Sequence, residues 1–300
     1  MSFILGVDTG GTYTDAVILE DEERVISFSK SLTTHSDLSL GIGSAIQKAI
    51  GQKNIEPEKI SLVSLSTTLA TNALVEGQGD RVALVMIGFK ESDLEKHSIF
   101  DALKGDPFLV LSGGHNYAGL EKSPLDKNDL ENWISEVKGA SAYAVCSQFA
   151  VRNPEHELEA AKIIRKLTDK PVSLSHQLSA KLNGPKRALT AVLNARLIAL
   201  IDLLIIKAEH VIKDLGIQAP LMVVRGDGAL ISAAQAREKP IETILSGPAA
   251  SIVGARWLTD ESEAIVSDIG GTTTDIAVLK GGKPTIDPRG ASVGPYRTMV

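Results

Sequence analysis

The chain has 300 residues and a mass of 31.8 kDa, is 43% hydrophobic and 23% charged, and carries a net charge of −6 with a pI near 5.6. This composition excludes disordered and fibrous classes, and the acidic balance argues against nucleic acid as a partner, which needs a basic stripe. The single cysteine, Cys146, can form neither an internal disulfide nor a zinc cluster, and its apolar run Ala142-Tyr-Ala-Val-Cys146 predicts a buried core thiol.

In chain order, Phe3-Ile-Leu-Gly-Val7 reads as a strand, Asp8 to Asp15 as a Gly-rich turn, Ala16-Val-Ile-Leu19 as a second strand and Val25-Ile-Ser-Phe28 as a third. An amphipathic helix over 38–50 follows. Three hairpin-linked strands and then a helix is the opening order of a ribonuclease-H-like layer. A strand over 60–65 ends at Ser66-Thr-Thr-Leu-Ala-Thr-Asn72, whose hydroxyls either cap the next helix or face a ligand.

The continuous apolar run 82–87 suits a strand covered on both faces. A strand over 108–111 leads to Ser112-Gly-Gly-His115, Pro124-Leu-Asp126 opens a helix over 129–137, and 142–146 is another buried strand. Asn153-Pro-Glu-His-Glu157 has the composition of a helix start, with Asn153 as N-cap and Pro154 at the first helical position. That setting places His156 on the surface and makes His115, beside two glycines, the better site candidate.

Asn183-Gly-Pro185 breaks the pattern before a long helix over 186–215, which predicts two domains, 1–183 and 184–300. The apolar region 189–212 within it is interrupted by Asn194, Arg196, Asp202, Lys207 and Glu209, and is not expected to span a membrane. No basic segment followed by an apolar one opens the chain, so a cytoplasmic location is expected. Further on, a strand over 221–224 stops at Arg225-Gly-Asp-Gly228 before a helix over 230–237, an order compatible with nucleotide binding. Ser246-Gly-Pro-Ala249 starts a helix over 250–258, with Ser246 either capping it or sharing a phosphate with the helix N–H groups. Gly281-Gly-Lys-Pro284 reads as a hairpin turn.

The turn Asp8-Thr-Gly-Gly-Thr-Tyr-Thr-Asp15 returns as Asp268-Ile-Gly-Gly-Thr-Thr-Thr-Asp275, and between 8–19 and 268–279 the Asp, Gly, Gly, Thr, Thr, Asp and Leu positions coincide. Either copy alone could simply close a hairpin. Two copies point to one loop used twice against a shared ligand. Glycine lets the backbone approach that ligand without a Cβ in the way, and successive N–H groups in such a turn form an anion-binding concavity. Threonine hydroxyls add donors, and the leading aspartate at a strand's end can hold Mg2+ through its water shell. Phosphate with Mg2+ is the natural guest.

These residues resemble the hydantoinase A and 5-oxoprolinase family, within the actin, sugar kinase and Hsp70 ATPase superfamily. The resemblance is carried by Val7-Asp-Thr-Gly-Gly-Thr-Tyr-Thr-Asp15, Thr67-Thr-Leu-Ala-Thr-Asn-Ala-Leu74, Gly88-Phe89, Pro124-Leu-Asp126, Asn153-Pro-Glu-His-Glu157, Ser173-Leu-Ser-His176, Leu245-Ser-Gly-Pro-Ala249 and Asp268-Ile-Gly-Gly-Thr-Thr-Thr-Asp275. It implies an α/β fold of two ribonuclease-H-like lobes, the second incomplete because the chain stops at Val300 just past the second hairpin. It also implies ATP and Mg2+ between the two loops, with Gly10, Gly11, Thr12, Tyr13 and Thr14 in the first and Gly270, Gly271, Thr272 and Thr273 in the second on the phosphates.

Asp8 and Asp268 would serve as metal-holding and catalytic carboxylates, Asp268 alternatively as general base. The adenosine-binding Gly-Gly turn of the superfamily is not found after the second loop, which leaves Gly226 and Gly228 as the candidates to replace it. The implied activity is ATP-dependent opening of a cyclic amide or imide such as a hydantoin, N-methylhydantoin or 5-oxoproline. ATP phosphorylates the ring oxygen to create a leaving group for attack by water, and a separate B subunit takes part. A small-molecule kinase and a non-catalytic nucleotide switch are the alternatives. The chain departs from the family pattern at Leu65-Ser66, where relatives often carry His-Gly, in the shortness of 97–119, and at Asp227-Gly-Ala229.

Overall fold

The computed structural model describes residues 2–269, 274–285 and 287–300. Its strands are β1 (Phe3–Thr9), β2 (Tyr13–Glu20), β3 (Arg24–Leu32), β4 (Ile60–Thr67), β5 (Val82–Ile87), β6 (Phe108–Leu111), β7 (Ala142–Ser147), β8 (Val172–Leu174), β9 (Leu221–Val224), β10 (Leu230–Ser232), β11 (Ala264–Ile269), β12 (Thr274–Lys280), β13 (Lys283–Pro284), β14 (Ser292–Val293) and β15 (Tyr296–Arg297). The α-helices are α1 (Leu38–Gly51), α2 (Leu69–Val75), α3 (Ile99–Leu103), α4 (Lys127–Glu136), α5 (Glu155–Thr168), α6 (Ser175–Leu178), α7 (Gly184–Asp214), α8 (Ala233–Glu238) and α9 (Ser246–Thr259).

Two compact units result: one from Met1–Asn72 and Ile201–Ile286, the other from Ala73–Leu200 and Asp287–Val300. The chain therefore does not divide at 183/184 as its sequence suggested. β9 pairs parallel with β4, which returns the segment after α7 to the sheet that the first residues began. α7 itself supplies residues to both units.

The first unit holds a six-stranded sheet of order β10-β9-β4-β1-β2-β3. β1, β2 and β3 form the expected antiparallel meander, while β4 runs parallel to β1 on its other side. Alternate residues of β1, Phe3, Leu5, Val7 and Thr9, are buried. α1 packs on β2 and β3 and buries Ile42, Ala45, Ile46 and Ala49, the spacing expected of an apolar stripe on a helix; each isoleucine contributes about 1.5–3 kcal/mol. Ser27 and Ser29 of β3 donate to helix carbonyls of Ala49 and Ala45 at 2.6 and 2.5 Å. A separate antiparallel sheet, β11-β12-β13, repeats the opening meander and is the partial second lobe.

The second unit is built on a parallel sheet of order β6-β5-β7-β8. Every residue of β5 and β7 is buried, as continuous apolar runs demand. Val85, Ile87, Tyr143 and Val145 pack with Leu130 and Ile134 of α4 and Ala160 and Ile164 of α5. α7 is long and apolar enough to cross a membrane by length and composition, and 67% of its apolar window is buried inside the protein. One of the charges interrupting it, Arg196, is a structural donor to the carbonyls of Asp80, Ala102 and Leu103 and to Asp106. Cys146 is fully buried, donates to the Gly184 carbonyl at 3.3 Å, and has its thiol pushed up to about 12 by burial.

Two local expectations are corrected. His156 is buried, because the first turn of α5 lies against the glycine loop. Its Nδ1 accepts from the Gly114 N–H at 2.9 Å, which leaves Nε2 to donate to Glu121 at 3.1 Å. The segment after Arg225-Gly-Asp-Gly228 turns back as the short strand β10 before α8 begins at Ala233, instead of entering a helix directly.

Candidate functional site

The site grows out of β1 and its neighbours. Asp8 lies opposite Asp15 of β2 and beside Ser66 of β4, and Asp15 lies opposite Lys30 of β3. Residues directly paired across strands project to the same side, so these four side chains form a row over the sheet. Ser66 donates to Asp8 Oδ1 at 2.5 Å, and Lys30 Nζ sits 2.8 Å from Asp15. Burial pushes the Asp8 carboxyl above the usual carboxylate range; the hydrogen bond from Ser66 opposes this, and the charges of Asp15 and Asp268 add to the rise. The charge of Asp268 thus reaches Asp8.

The second copy repeats the register. Asp268 lies opposite Asp275, as Asp8 does Asp15. Ser251 of α9 donates to Asp268 Oδ2 at 2.5 Å. Burial, and then the Asp268 charge, hold the Asp275 carboxyl above its ordinary range. Both loops belong to the first unit, although the sequence had assigned them to different domains.

Within the first loop the Gly10 N–H donates to the Tyr13 carbonyl at 3.0 Å and closes the turn. Gly11 is open enough that an added Cβ would meet only Asn72 Nδ2, at 3.6 Å. The Thr12 carbonyl accepts from Thr33 N–H at 3.0 Å. Among the described residues no hydrogen bond engages the N–H of Gly11 or Thr12, so these are the donors the loop can offer an anion. Tyr13 is 43% exposed, with Lys30 Nζ 4.9 Å from its ring centre. Thr14 is fully buried and shares its hydroxyl with Thr33 at 3.0 Å, so it braces the loop from below. Gly270, Gly271, Thr272 and Thr273 lie outside the described residues.

Gly226 and Gly228 sit in the turn between β9 and β10. A Cβ on Gly226 would stand 2.3 Å from the Ile244 carbonyl oxygen, and one on Gly228 would stand 2.9 Å from Val253 Cγ2. Close packing accounts for both glycines, and Gly228 also needs its φ of +85°. Nothing in that packing points to adenosine. The capping reading of the Ser/Thr-rich edge is met: Thr67 Oγ1 accepts from the Leu69 N–H at 3.0 Å and donates to the Thr9 carbonyl at 3.1 Å.

No group of three or more His, Cys, Asp or Glu side chains able to cage a metal is present among the described residues. Mg2+ needs only one or two protein carboxylates when phosphate and water complete its shell. The half-buried carboxyls of Asp8 and Asp275, whose proton affinity is raised by burial and by neighbouring carboxylates, lie where a cation would be favoured, so the donor set fits. His115, the other candidate, is buried in the second unit, its ring centre 4.5 Å from that of His156 with the planes tilted by 43°, and its pKa is lowered chiefly by burial. It is not part of this row.

A ribonuclease-H-like sheet carrying an acidic Gly-Gly-Thr hairpin, with the hairpin repeated in a partial second lobe, defines an actin-like ATPase fold. Residues 4–168 match the hydantoinase/oxoprolinase N-terminal region, and residues 187–298 match hydantoinase/oxoprolinase. The chain belongs to the hydantoinase/oxoprolinase family.

Among relatives, the caprolactamase subunit alpha of Pseudomonas jessenii is 29% identical over 93% of this chain and 44% of its own length. 5-Oxoprolinase 1 of Arabidopsis thaliana is 28% identical over 92% of this chain and 25% of its own. A nucleotide-free acetone carboxylase structure superposes with a TM-score of 0.85 at 20% identity, covering 98% of this chain and 46% of that one. The ATP-dependent caprolactamase of P. jessenii does so with a TM-score of 0.79 at 27% identity, with the same coverage. The chain spans less than half the length of these proteins.

Proposed function

We propose that the protein is the ATP- and Mg2+-binding part of a cytoplasmic enzyme that opens a cyclic amide or imide, working with a B subunit. The observation that carries this reading is the duplicated hairpin, with Asp8 and Asp268 at equivalent positions and close enough to interact. Support for the substrate class comes from the caprolactamase and 5-oxoprolinase relatives, and support for a partner from a relative named as a subunit.

In this reading Asp8 and Asp268 hold Mg2+ through water, and the N–H groups of Gly11 and Thr12 take phosphate oxygens. Mg2+ held there would supply positive charge against that developing on the γ-phosphoryl oxygens. Positioning and charge stabilisation are most of what phosphoryl transfer asks of a protein. The amide oxygen forms a bond to the γ-phosphorus as ADP leaves. Water adds to the activated carbon, the ring C–N bond breaks with a proton going to the amine, and a second water splits the acyl phosphate into carboxylate and phosphate.

The test is phosphate release from ATP with hydantoin, N-methylhydantoin, 5-oxoproline or caprolactam, with and without a B subunit. Substrate-dependent release with a ring-opened product is expected. A stable phosphorylated product would instead establish a small-molecule kinase, and tight ATP binding with no turnover on any cyclic amide a nucleotide switch.

A further inference from the structure

Two segments distinctive in the sequence, Ser66-Thr-Thr-Leu-Ala-Thr-Asn72 and Leu245-Ser-Gly-Pro-Ala249, are bonded to each other. Thr67 follows the serine that donates to Asp8. Its N–H donates to Ser246 Oγ at 3.3 Å, and that hydroxyl donates to the Thr67 carbonyl at 2.9 Å. The Leu245 N–H adds a second tie, to Thr71 Oγ1 at 3.0 Å. Ser246 is the first residue of α9, and Ser251, which donates to Asp268, lies on the same helix. Five residues of helix cover about 7.5 Å along the axis, a rigid spacer. A continuous path thus runs from Asp8 through Ser66, Thr67, Ser246 and Ser251 to Asp268, wholly inside the first unit.

We propose that Ser66 and Ser251 are positioning residues for the two loop aspartates, and that the Thr67–Ser246 bridge sets the spacing of those carboxylates around the metal-bound phosphate. The inference rests on the ATP reading above. A carboxylate turns easily about its terminal torsion. A hydroxyl donating to one oxygen at 2.5 Å fixes the carboxylate plane and leaves the second oxygen for a metal-bound water. Ser66 is only 5% exposed, so bulk water cannot readily take its place when the hydroxyl is removed.

The experiment measures ATP affinity with Mg2+ and with EDTA, on the full-length protein and on Ser66→Ala, Ser251→Ala, Ser251→Thr, Ser246→Ala and the Ser246→Ala/Ser251→Ala double variant. Each single alanine at 66 or 251 is expected to weaken Mg-ATP binding about tenfold or more, the loss of one hydrogen bond to a charged group, while metal-free ATP binding holds. Ser251→Thr keeps the hydroxyl and should retain wild-type affinity. The double variant should cost less than the sum of its singles, because Ser246 acts through the helix that carries Ser251. Equal losses with and without metal, unchanged affinity in both alanine variants, or full additivity in the double variant would overturn the positioning role while leaving the ATP reading intact. Wild-type protein that binds no nucleotide under either condition would overturn the ATP reading, and the inference with it.

Discussion

Replacing Glu157 by glutamine should unfold the second unit far more readily, and the structure fixes the reason. This carboxylate is fully buried; Oε1 accepts from the Ser147 N–H at 2.8 Å and the Ser175 hydroxyl at 2.6 Å, while Oε2 accepts from the His176 N–H at 3.1 Å and His176 Nδ1 at 2.6 Å. Glutamine accepts through one oxygen only. Its amide NH2 must then face a backbone N–H that cannot turn away, although the Ser175 hydroxyl can rotate and His176 can change tautomer. The same network loses its negative charge beside Arg187, itself buried and bonded to Ser175, Ser147 and Lys181.

An orphaned buried donor costs about 1–3 kcal/mol and a lost charge-assisted bond about 1.5–3, so the expected destabilisation is about 3–5 kcal/mol. That is a large share of the roughly 5–15 kcal/mol that holds a domain together. The assay is equilibrium urea unfolding followed by tryptophan fluorescence in a Trp257→Phe background. Trp133 is then the only tryptophan, and it lies in the second unit with its ring 6.4 Å from Tyr143. A loss below about 1 kcal/mol would refute the reasoning, since it would mean the four donors find other partners.

Three further outcomes are expected. The raised Asp8 pKa means that the folded state holds that proton more tightly than the unfolded state, whose value is near 3.8. Stability is therefore lost as pH rises from 3.8 through the raised folded value, so Asp8→Asn should increase the melting temperature at pH 7 and leave it nearly unchanged at pH 3, by calorimetry; an equal shift at both would contradict the assignment. Gly226→Ala should cost about 1–3 kcal/mol in urea unfolding, because its Cβ would press on the Ile244 carbonyl, while ATP affinity stays unchanged; a selective loss of ATP affinity would restore the adenosine role. Cys146, buried with its thiol pushed up to about 12, should resist a thiol reagent at pH 8 until urea unfolds the protein, and rapid native labelling would show the strand to be accessible.

How far each feature could be read from the sequence follows from how local it is. Both hairpins were legible because a strand, a Gly-rich turn and a returning strand are written in adjacent residues, and the repeat doubled the signal. Cys146 in its strand was legible for the same reason, as was α4, where Asp126 accepts from the Asp129 N–H at 3.0 Å as an N-cap. His156 was misjudged because helix-start composition describes the chain within one turn and not the loop packed against it. The division into units was equally hidden, since it depends on β9 pairing with β4.

The sequence by itself determined the fold class, the strand and helix order in outline, the first acidic Gly-Gly-Thr turn and the paired strands that flank the second copy, because backbone freedom at glycine and apolar periodicity act at short range. Tertiary structure alone decided which serines hold the aspartates and that the Ser/Thr edge grips the start of α9. Thr67 and Ser246 are 179 residues apart in the chain, and only the pairing of strands brings them within hydrogen-bonding distance.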